Sequence, residues 1–296
     1  MCGNMKKLKR VIYLLMAVLV LVGCTKSVHV KKISEIKQMD KSQEKKSKKK
    51  QKNVKEIEST EIPTTENASE PEDTTMDSEQ ENQMLIDKKI IVLDPGHSAV
   101  VATGTEPLGP GAVEQKAADA SGTSGVSSGV PEYELTLNIS LQLKTELEQR
   151  GYQVIMTRES NNVPISCAER AEVANNANAS AYVRIHANGS ENQNTKGAMT
   201  ICTTPNNPYN ASIYGESKRL SEAILDKYCE VTGCKREYVW ETDTMSGNNW
   251  SQVPVTIVEM GYMTNSEEDM LMQTAEYQQK MVKGIADGID MYMENY

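Results

Sequence analysis

The chain has 296 residues, a formal net charge of -9 at pH 7 and a sequence pI of about 5.1. An acidic chain of this kind lacks the basic surface that nucleic-acid binding requires, so we expect no nucleic-acid partner. The length alone would allow two domains, but the composition is too uneven for length to decide their number.

The first 24 residues have the pattern of a targeting segment. A basic stretch that includes Lys6 and Arg10 precedes an unbroken apolar run over 11–22, which is shorter than the roughly 20 residues that a membrane-spanning helix needs. The run ends in LVGC, which resembles a bacterial lipobox. We therefore expect 1–24 to be a lipoprotein signal peptide whose Cys24 is lipidated and anchors an extracytoplasmic protein to the cell membrane. A short stop-transfer anchor is the alternative.

Residues 25–87 contain two blocks of opposite charge. The stretch 26–55 has twelve lysines and three acidic residues, whereas 56–81 has ten acidic residues and neither lysine nor arginine. Neither block has apolar periodicity, so neither buries enough surface to offset the entropy of ordering. We expect a disordered linker that tethers a folded domain at 88–296. Its basic half either lies on anionic lipid headgroups or is a solvated spacer.

Beyond residue 88 the sequence alternates between strand and helix patterns. Unbroken apolar runs predict strands, and apolar residues at helical spacing predict helices. In chain order we expect a strand at 88–94, a helix at 133–150, a strand at 152–158, a helix at 164–178, strands at 180–186 and 197–203, a helix at 212–228, a strand at 254–261, and helices at 266–273 and 276–295. This order predicts a single α/β domain with a mostly parallel, twisted sheet flanked by helices on both faces.

Two segments of this domain lack a clear period. Residues 98–130 are rich in Gly, Ala and Ser and are predicted to be a loop, which at this length is functional or mobile and could act as a lid. Residues 236–252 contain both tryptophans, and Trp240 or Trp250 either lines a binding groove or seals the sheet edge.

The cysteines beyond the leader do not have the spacing of a zinc site. CEVTGC places four residues between Cys229 and Cys234, and no CxxC occurs. The cysteines of this region are either small buried hydrophobic residues or include one disulfide, with Cys229–Cys234 as its candidate, because an extracytoplasmic setting permits it.

Titratable side chains stand at the ends of three predicted strands. His97 follows the first strand in DPGH, His186 ends AYVRIH and Glu259 lies in PVTIVEMG, while Glu132 opens the first helix. Ligands of parallel α/β sheets bind at the carboxyl ends of the strands, so these side chains can converge there. Two histidines, a carboxylate ligand and an open position describe a catalytic zinc site, with a further carboxylate as base. Taken singly, each also fits a plain structural role, Glu132 as a helix-terminal carboxylate for example.

The motifs DPGH, a glutamate opening the next helix, HAN and VEMGYMTN, in this order, resemble the zinc-dependent N-acetylmuramoyl-L-alanine amidases of the amidase-3 type. The resemblance extends from about residue 89 to the end of the chain. It implies one catalytic Zn²⁺ and hydrolysis of the amide between N-acetylmuramic acid and L-alanine in peptidoglycan, for wall remodelling or lysis. The alternatives are another zinc peptidoglycan peptidase, either an endopeptidase or a carboxypeptidase, or an inactive wall-binding lipoprotein. A regulator protein would be compatible, although no segment points to one.

The resemblance also implies roles for individual residues. His97, Glu132 and His186 correspond to the family's zinc ligands, and Glu259 corresponds to its catalytic carboxylate. Glu132 has the family's helical distance to the glycine after the helix. Glu134 is the alternative ligand, because it has the usual interval to a following asparagine.

The sequence also predicts roles for two further residues near these motifs. Asp94, in DPGH, either orients His97 from behind or caps the turn. Arg184 stands where the family commonly has serine, which predicts altered substrate contacts or a salt bridge with an acidic residue.

Overall fold

A computed structural model describes residues 89–294. The predicted signal peptide with its Cys24 and the predicted linker 25–87 lie outside these residues. The elements are β1 Ile90–Pro95, β2 Thr105–Pro107, β3 Gln115–Ala117, α1 Glu132–Gln149, β4 Gln153–Met156, α2 Cys167–Asn176, β5 Ala181–Asn188, β6 Ala198–Cys202, a 3-10 turn Ala211–Ile213, α3 Tyr214–Thr232, β7 Arg236–Glu241, α4 Ser246–Asn249, β8 Val255–Tyr262, α5 Ser266–Met272 and α6 Ala275–Met293.

Six strands form one sheet in the order β4-β1-β5-β8-β6-β7. The first four run parallel, whereas β6 is antiparallel to β8 and parallel to β7. The α/β class with a mostly parallel sheet is therefore confirmed. Because β1, β5 and β8 are neighbours in the centre, their carboxyl ends meet at the middle of one sheet edge, where His186 is in register with Glu259.

Helices cover both faces of the sheet, as expected. On one face α1, α3 and α6 bury a large apolar cluster, in which Leu143, Ile224 and Ile289 are fully buried. On the other face α2 and α4 cover a smaller cluster around Tyr182 and Val255, which adjoins buried charged groups. Within 89–294, no helix combines the length and the apolar character needed to cross a membrane.

The helix ends differ from the predicted ones for local reasons. The Ser166 hydroxyl accepts from the Glu169 backbone N–H, and the Glu169 carboxylate accepts from that of Ser166, so α2 begins at Cys167 rather than at 164. Helix α3 continues beyond 228 to Thr232 and ends at Gly233, whose φ of 74° suits a left-handed C-terminal position.

The two segments without a period both contain regular structure. Residues 98–130 include the antiparallel pair β2–β3, and 236–252 contain the edge strand β7 and the short helix α4. The first was predicted as irregular because three-residue strands have too few residues for a period. The second was predicted as irregular because β7 exposes the aromatic Tyr238 and Trp240 and turns Glu237 and Glu241 inward, which reverses the usual alternation of apolar and polar residues. Cys229 and Cys234 are free thiols with their sulfurs 3.5 Å apart, so the allowed disulfide is not formed in this structure.

Candidate active site

The sheet brings the four sequence-predicted residues together at its carboxyl edge. The side-chain ligand atoms of His97, Glu132 and His186 all lie within 4.8 Å of one another. Oε1 of Glu132 is 3.2 Å from Nε2 of His97 and 3.1 Å from Nδ1 of His186. The two imidazole rings pack edge to face with their centroids 4.8 Å apart. Glu259 stands beside His186 on the neighbouring strand.

The Pro-Gly turn after β1 makes this close approach of the histidines possible. A Cβ at Gly96 would lie 2.3 Å from Cε1 of His186, so a residue with a side chain does not fit there. His97 has a φ of 60°, in the left-handed region that few non-glycine residues adopt. Its Nδ1 is 2.7 Å from the carbonyl oxygen of Ala120, to which it donates, and this leaves Nε2 for the cluster.

Glu132, rather than Glu134, belongs to the cluster. The Glu132 carboxylate is buried and accepts from the backbone N–H groups of Thr123 and Ala187, whereas Glu134 is exposed to solvent. Burial alone would raise the pKa of Glu132, but the hydrogen bonds from His186 and His97 outweigh burial and hold this pKa well below its usual range. The carboxylate is therefore ionised and ready to accept a cation.

The cluster has the properties of a metal site. Nε2 of His186 is buried and has no hydrogen-bond partner, which is rare for a buried polar atom. Two imidazoles and a carboxylate are a donor set that catalytic zinc sites use. Among residues 89–294, His97, Glu132 and His186 are the group of titratable side chains close enough to share one ion. Nε2 of His97 and Nδ1 of His186 both lie close to Oε1 of Glu132, so a metal ion could be shared by these three side chains.

Glu259 has the environment of a proton-transfer group. The residue is partly exposed, but its Oε2 atom is buried and has no hydrogen-bond partner. Burial, together with the negative charge of Glu132, raises the pKa of Glu259 to about 8. A carboxyl group with such a pKa exchanges protons near neutral pH.

Asp94 supports the turn of His97 through Arg170 rather than by the direct contact expected of it. Its fully buried carboxylate accepts from four donors at 2.6–3.1 Å, which are side chains of Thr157, Arg170, Tyr182 and Arg184. Burial would raise the pKa of Asp94, but the charges of the two guanidinium groups outweigh burial and hold it well below its usual range. The salt bridge expected for Arg184 is confirmed, with Nε 3.0 Å from Oδ2 of Asp94.

Two buried arginines hold the turn that carries His97, and neither was recognised from the sequence. Arg158 donates to the carbonyl oxygens of Pro95 and Gly96, each at 2.9 Å. Arg170 donates to those of Pro95 at 2.9 Å and His97 at 3.1 Å. The sequence contained one signal, because Arg170 lies on the same face of α2 as the buried Ala171 and Ala174.

A cavity of about 340 Å³ opens beside the cluster. Charged and titratable side chains line it, among them His97, Lys116, Arg170, Arg184, His186 and Glu259. Segment 98–130 is folded against this cavity, because Trp250 donates its indole N–H to the carbonyl of Pro107 and Lys116 donates to that of Thr244. Trp250 thus fixes the wall, whereas Trp240 is 40% exposed on β7.

Comparison with known proteins identifies the family. The family described as Amidase_3, N-acetylmuramoyl-L-alanine amidase, matches residues 91–291. The N-acetylmuramoyl-L-alanine amidase Rv3717 of Mycobacterium tuberculosis is 30% identical over 209 residues, which cover 68% of this chain and 84% of Rv3717. The chain belongs to this amidase family.

Solved structures agree with the amidase fold. The amidase Ami1 of Mycobacterium smegmatis superposes with a TM-score of 0.63 at 28% identity, covering 70% of this chain and 98% of Ami1. The CwlD amidase of Clostridioides difficile, in complex with the GerS lipoprotein, has a TM-score of 0.57 at 24% identity and covers 71% of this chain and 100% of CwlD. The second likeness shows the fold alone.

Membership of the amidase family confirms several of the expectations. Members are hydrolases that act on peptidoglycan, typically with zinc, and cell-wall amidases act outside the cytoplasm. The α/β fold and the amidase class predicted from the motifs are confirmed.

Proposed function

We propose that this chain is a zinc-dependent enzyme that hydrolyses the amide between N-acetylmuramic acid and L-alanine in peptidoglycan. The observation that carries the proposal is the convergence of His97, Glu132 and His186 next to Glu259, whose Oε2 is buried and unpartnered, in an open cavity. Family membership supports the substrate class.

His97, Glu132 and His186 would hold the zinc ion. Zinc supplies Lewis acidity, which polarises a carbonyl oxygen and makes water a stronger acid. The chain's own contribution is rigidity, because the Ala120 carbonyl fixes the ring of His97 and two backbone N–H groups fix the carboxylate of Glu132. Ligands that are already in place lower the ordering cost of binding the ion.

Glu259 is the proposed proton carrier. An amide resists hydrolysis because resonance weakens its carbonyl as an electrophile and its nitrogen is a poor leaving group. Glu259 would take the proton from the attacking water and deliver it to the departing nitrogen, which then leaves as an amine. Its raised pKa suits both halves of this transfer, since the carboxyl group both accepts and releases a proton near neutral pH.

The proposal extends to how the protein is attached. Residues 1–24 would direct export and end in a lipidated Cys24, 25–87 would tether the enzyme, and 88–296 would form the catalytic domain. The LVGC motif and the charge blocks support this arrangement, and a lipid anchor on the outer face of the membrane agrees with a peptidoglycan substrate.

The decisive experiment measures bound metal and digestion products together. The full-length protein in detergent is loaded with zinc and incubated with purified cell walls, and the released fragments are analysed by mass spectrometry. We expect stem peptides with free N-terminal L-alanine and intact glycan strands. Released D-alanine, or opened cross-links with the lactyl amide intact, would instead identify a carboxypeptidase or an endopeptidase.

Variants separate the proposed roles. Glu259→Gln should keep its zinc and lose roughly 100- to 10,000-fold in rate, the usual contribution of a general acid-base group. Glu132→Ala should lose the metal, whereas the matched control Glu134→Ala, on the exposed side of the same helix turn, should keep both metal and activity. A Glu259→Gln protein that digests walls at the wild-type rate would refute the catalytic role.

A further inference from the structure

The cavity beside the proposed zinc ligands has a wall of positive charge. Lys116, Arg170 and Arg184 line it. The buried Asp94 is shared between the two arginines, and Asp119 is 3.7 Å from Arg170. Arg184 therefore shares its ion-pair partner with Arg170, and the carboxyl group of Glu259 lies in the same cavity. Burial would lower the pKa of Arg184, but the neighbouring Tyr182 and Asp94 outweigh burial and raise it, so the residue stays charged in the cavity wall.

Some N–H groups of the Arg184 guanidinium have no strong hydrogen-bond acceptor. Its Nε donates to Asp94, and Nη1 donates to Oδ1 of Asn248 at 3.1 Å. The partner of Nη2 is the sulfur of Cys167 at 3.9 Å, which is a weak acceptor. The side chain is nearly buried, with 4% of the residue exposed, and is held by Asp94 rather than free to move. It is thus a preorganised site for an anion.

Helix α4 leaves space for this guanidinium. A Cβ at Gly247 would lie 2.7 Å from both Cζ and Nη1 of Arg184, so a side chain at this position would displace the charged group. The cavity wall therefore depends on an arginine on β5 and on a glycine on α4 that faces it.

Arg184 lines the same cavity as the reacting groups. Arg184 and His186 are two residues apart on β5, so their side chains leave the strand on the same face. A substrate whose amide lies next to His186 and Glu259 can therefore extend within this cavity towards Arg184. In the stem peptide the carboxyl group of the first residue is in a peptide bond, so the free carboxylate nearest to that amide is on the second residue.

We propose that Arg184 binds a free carboxylate on the second residue of the stem peptide and so determines specificity for unamidated peptidoglycan. The inference rests on the proposed amidase function and deepens it. A planar guanidinium recognises a carboxylate through paired hydrogen bonds, whereas a carboxamide offers one acceptor and no charge. The serine that the family commonly has at this position would not discriminate in this way.

The test compares two muropeptides that differ in one group. Both contain N-acetylmuramic acid, L-alanine and a second stem residue, which carries either a free α-carboxylate or its carboxamide. The zinc-loaded full chain should have a kcat/KM about 10-fold or more higher for the carboxylate, as expected for a charge-assisted hydrogen bond. In Arg184→Ser this ratio should fall to about 1, and Arg184→Lys should have an intermediate ratio. Because each ratio compares two substrates on one preparation, partial loss of folded protein cancels.

The matched control is Arg219→Ser. This variant also removes a guanidinium, but Arg219 lies on α3, where it stacks on the ring of Tyr292 away from the cavity. The variant should have the wild-type ratio of kcat/KM for the two muropeptides. A wild-type ratio near 1, or an unchanged ratio in Arg184→Ser, would overturn the assignment of Arg184 and leave the amidase function intact. If the wild type cleaves neither muropeptide, the amidase proposal itself fails, and that of Arg184 with it.

Discussion

The two faces of the sheet are stabilised by different physical means. On the face covered by α1, α3 and α6, fully buried aliphatic side chains such as Ile224 and Ile289 provide the contacts. On the face that carries the site, Asp94 accepts four hydrogen bonds, and Arg158 and Arg170 bind the carbonyl oxygens of the turn before His97. Apolar burial is nondirectional, whereas hydrogen bonds fix atoms in place.

This difference separates stability from function within one domain. On the apolar face, α6 can lose volume without changing the positions of the proposed ligands, because Glu132 is on α1 and the other proposed ligands are on or next to strands. The polar face cannot, because Arg170 joins Asp94 to the carbonyl oxygens of Pro95 and His97. Substitutions on the two faces should therefore have similar effects on stability but different effects on metal affinity.

The largest effect is expected from Asp94→Asn. The change preserves shape but leaves Arg170 and Arg184 without their shared counter-charge, and breaking a buried ion pair costs about 3–5 kcal/mol of unfolding free energy. Zinc affinity should fall as well, because the turn of His97 loses its support. Chemical unfolding and chelator competition measure the two quantities. The control Asp226→Asn breaks an exposed pair with Arg236 and should cost less than about 1 kcal/mol.

A smaller loss of stability is expected from Ile289→Ala on the apolar face. Removing this fully buried side chain from α6 should lower the unfolding free energy by about 3 kcal/mol, through lost burial and a cavity. The chelator competition should give the wild-type zinc affinity. A drop in affinity comparable to that of Asp94→Asn would show that the two faces are not independent.

Acid should reduce the difference in unfolding free energy between the wild type and Asp94→Asn. The pKa of Asp94 in the folded protein lies below its ordinary value of 3.8, so its contribution is complete above that pH and is lost as the pH falls. Each pH unit corresponds to about 1.4 kcal/mol, so the difference in unfolding free energy should narrow by about 2 kcal/mol between pH 4 and pH 2. The unfolding free energy of Ile289→Ala should differ from that of the wild type by the same amount over this pH range. A pH-independent difference between Asp94→Asn and the wild type would contradict the ionised state of Asp94.

The fold was predictable wherever the elements were long and buried. The strands that became β1, β5 and β8 are mostly apolar, and α1 and α6 have helical periodicity, so their existence followed from the sequence. The antiparallel direction of β6 was not predictable, because strand direction depends on the path of the connections. The edge strand β7 was missed because its partly buried positions include Glu237 and Glu241, which pair with groups of other elements.

The proposed metal ligands and Glu259 were predictable from the sequence, whereas the side chains that hold them in place were less so. His97, His186 and Glu259 follow or end buried strands, and a parallel sheet brings such positions together. Asp94 was recognised as a candidate, but its partners are 63 to 90 residues away along the chain. Hydrogen bonds over such separations leave no local pattern, and this also explains why the role of Arg158 was not foreseen.

Gly247 has an evolutionary consequence. The guanidinium of Arg184 occupies the volume that a side chain at 247 would need, so the two positions constrain each other. An amidase lineage that exchanges this arginine for serine can accept larger residues at 247, whereas a lineage that keeps the arginine and enlarges 247 has to move the guanidinium. The pair should therefore co-vary among relatives, and an arginine facing glycine would mark the sequences that share this cationic wall.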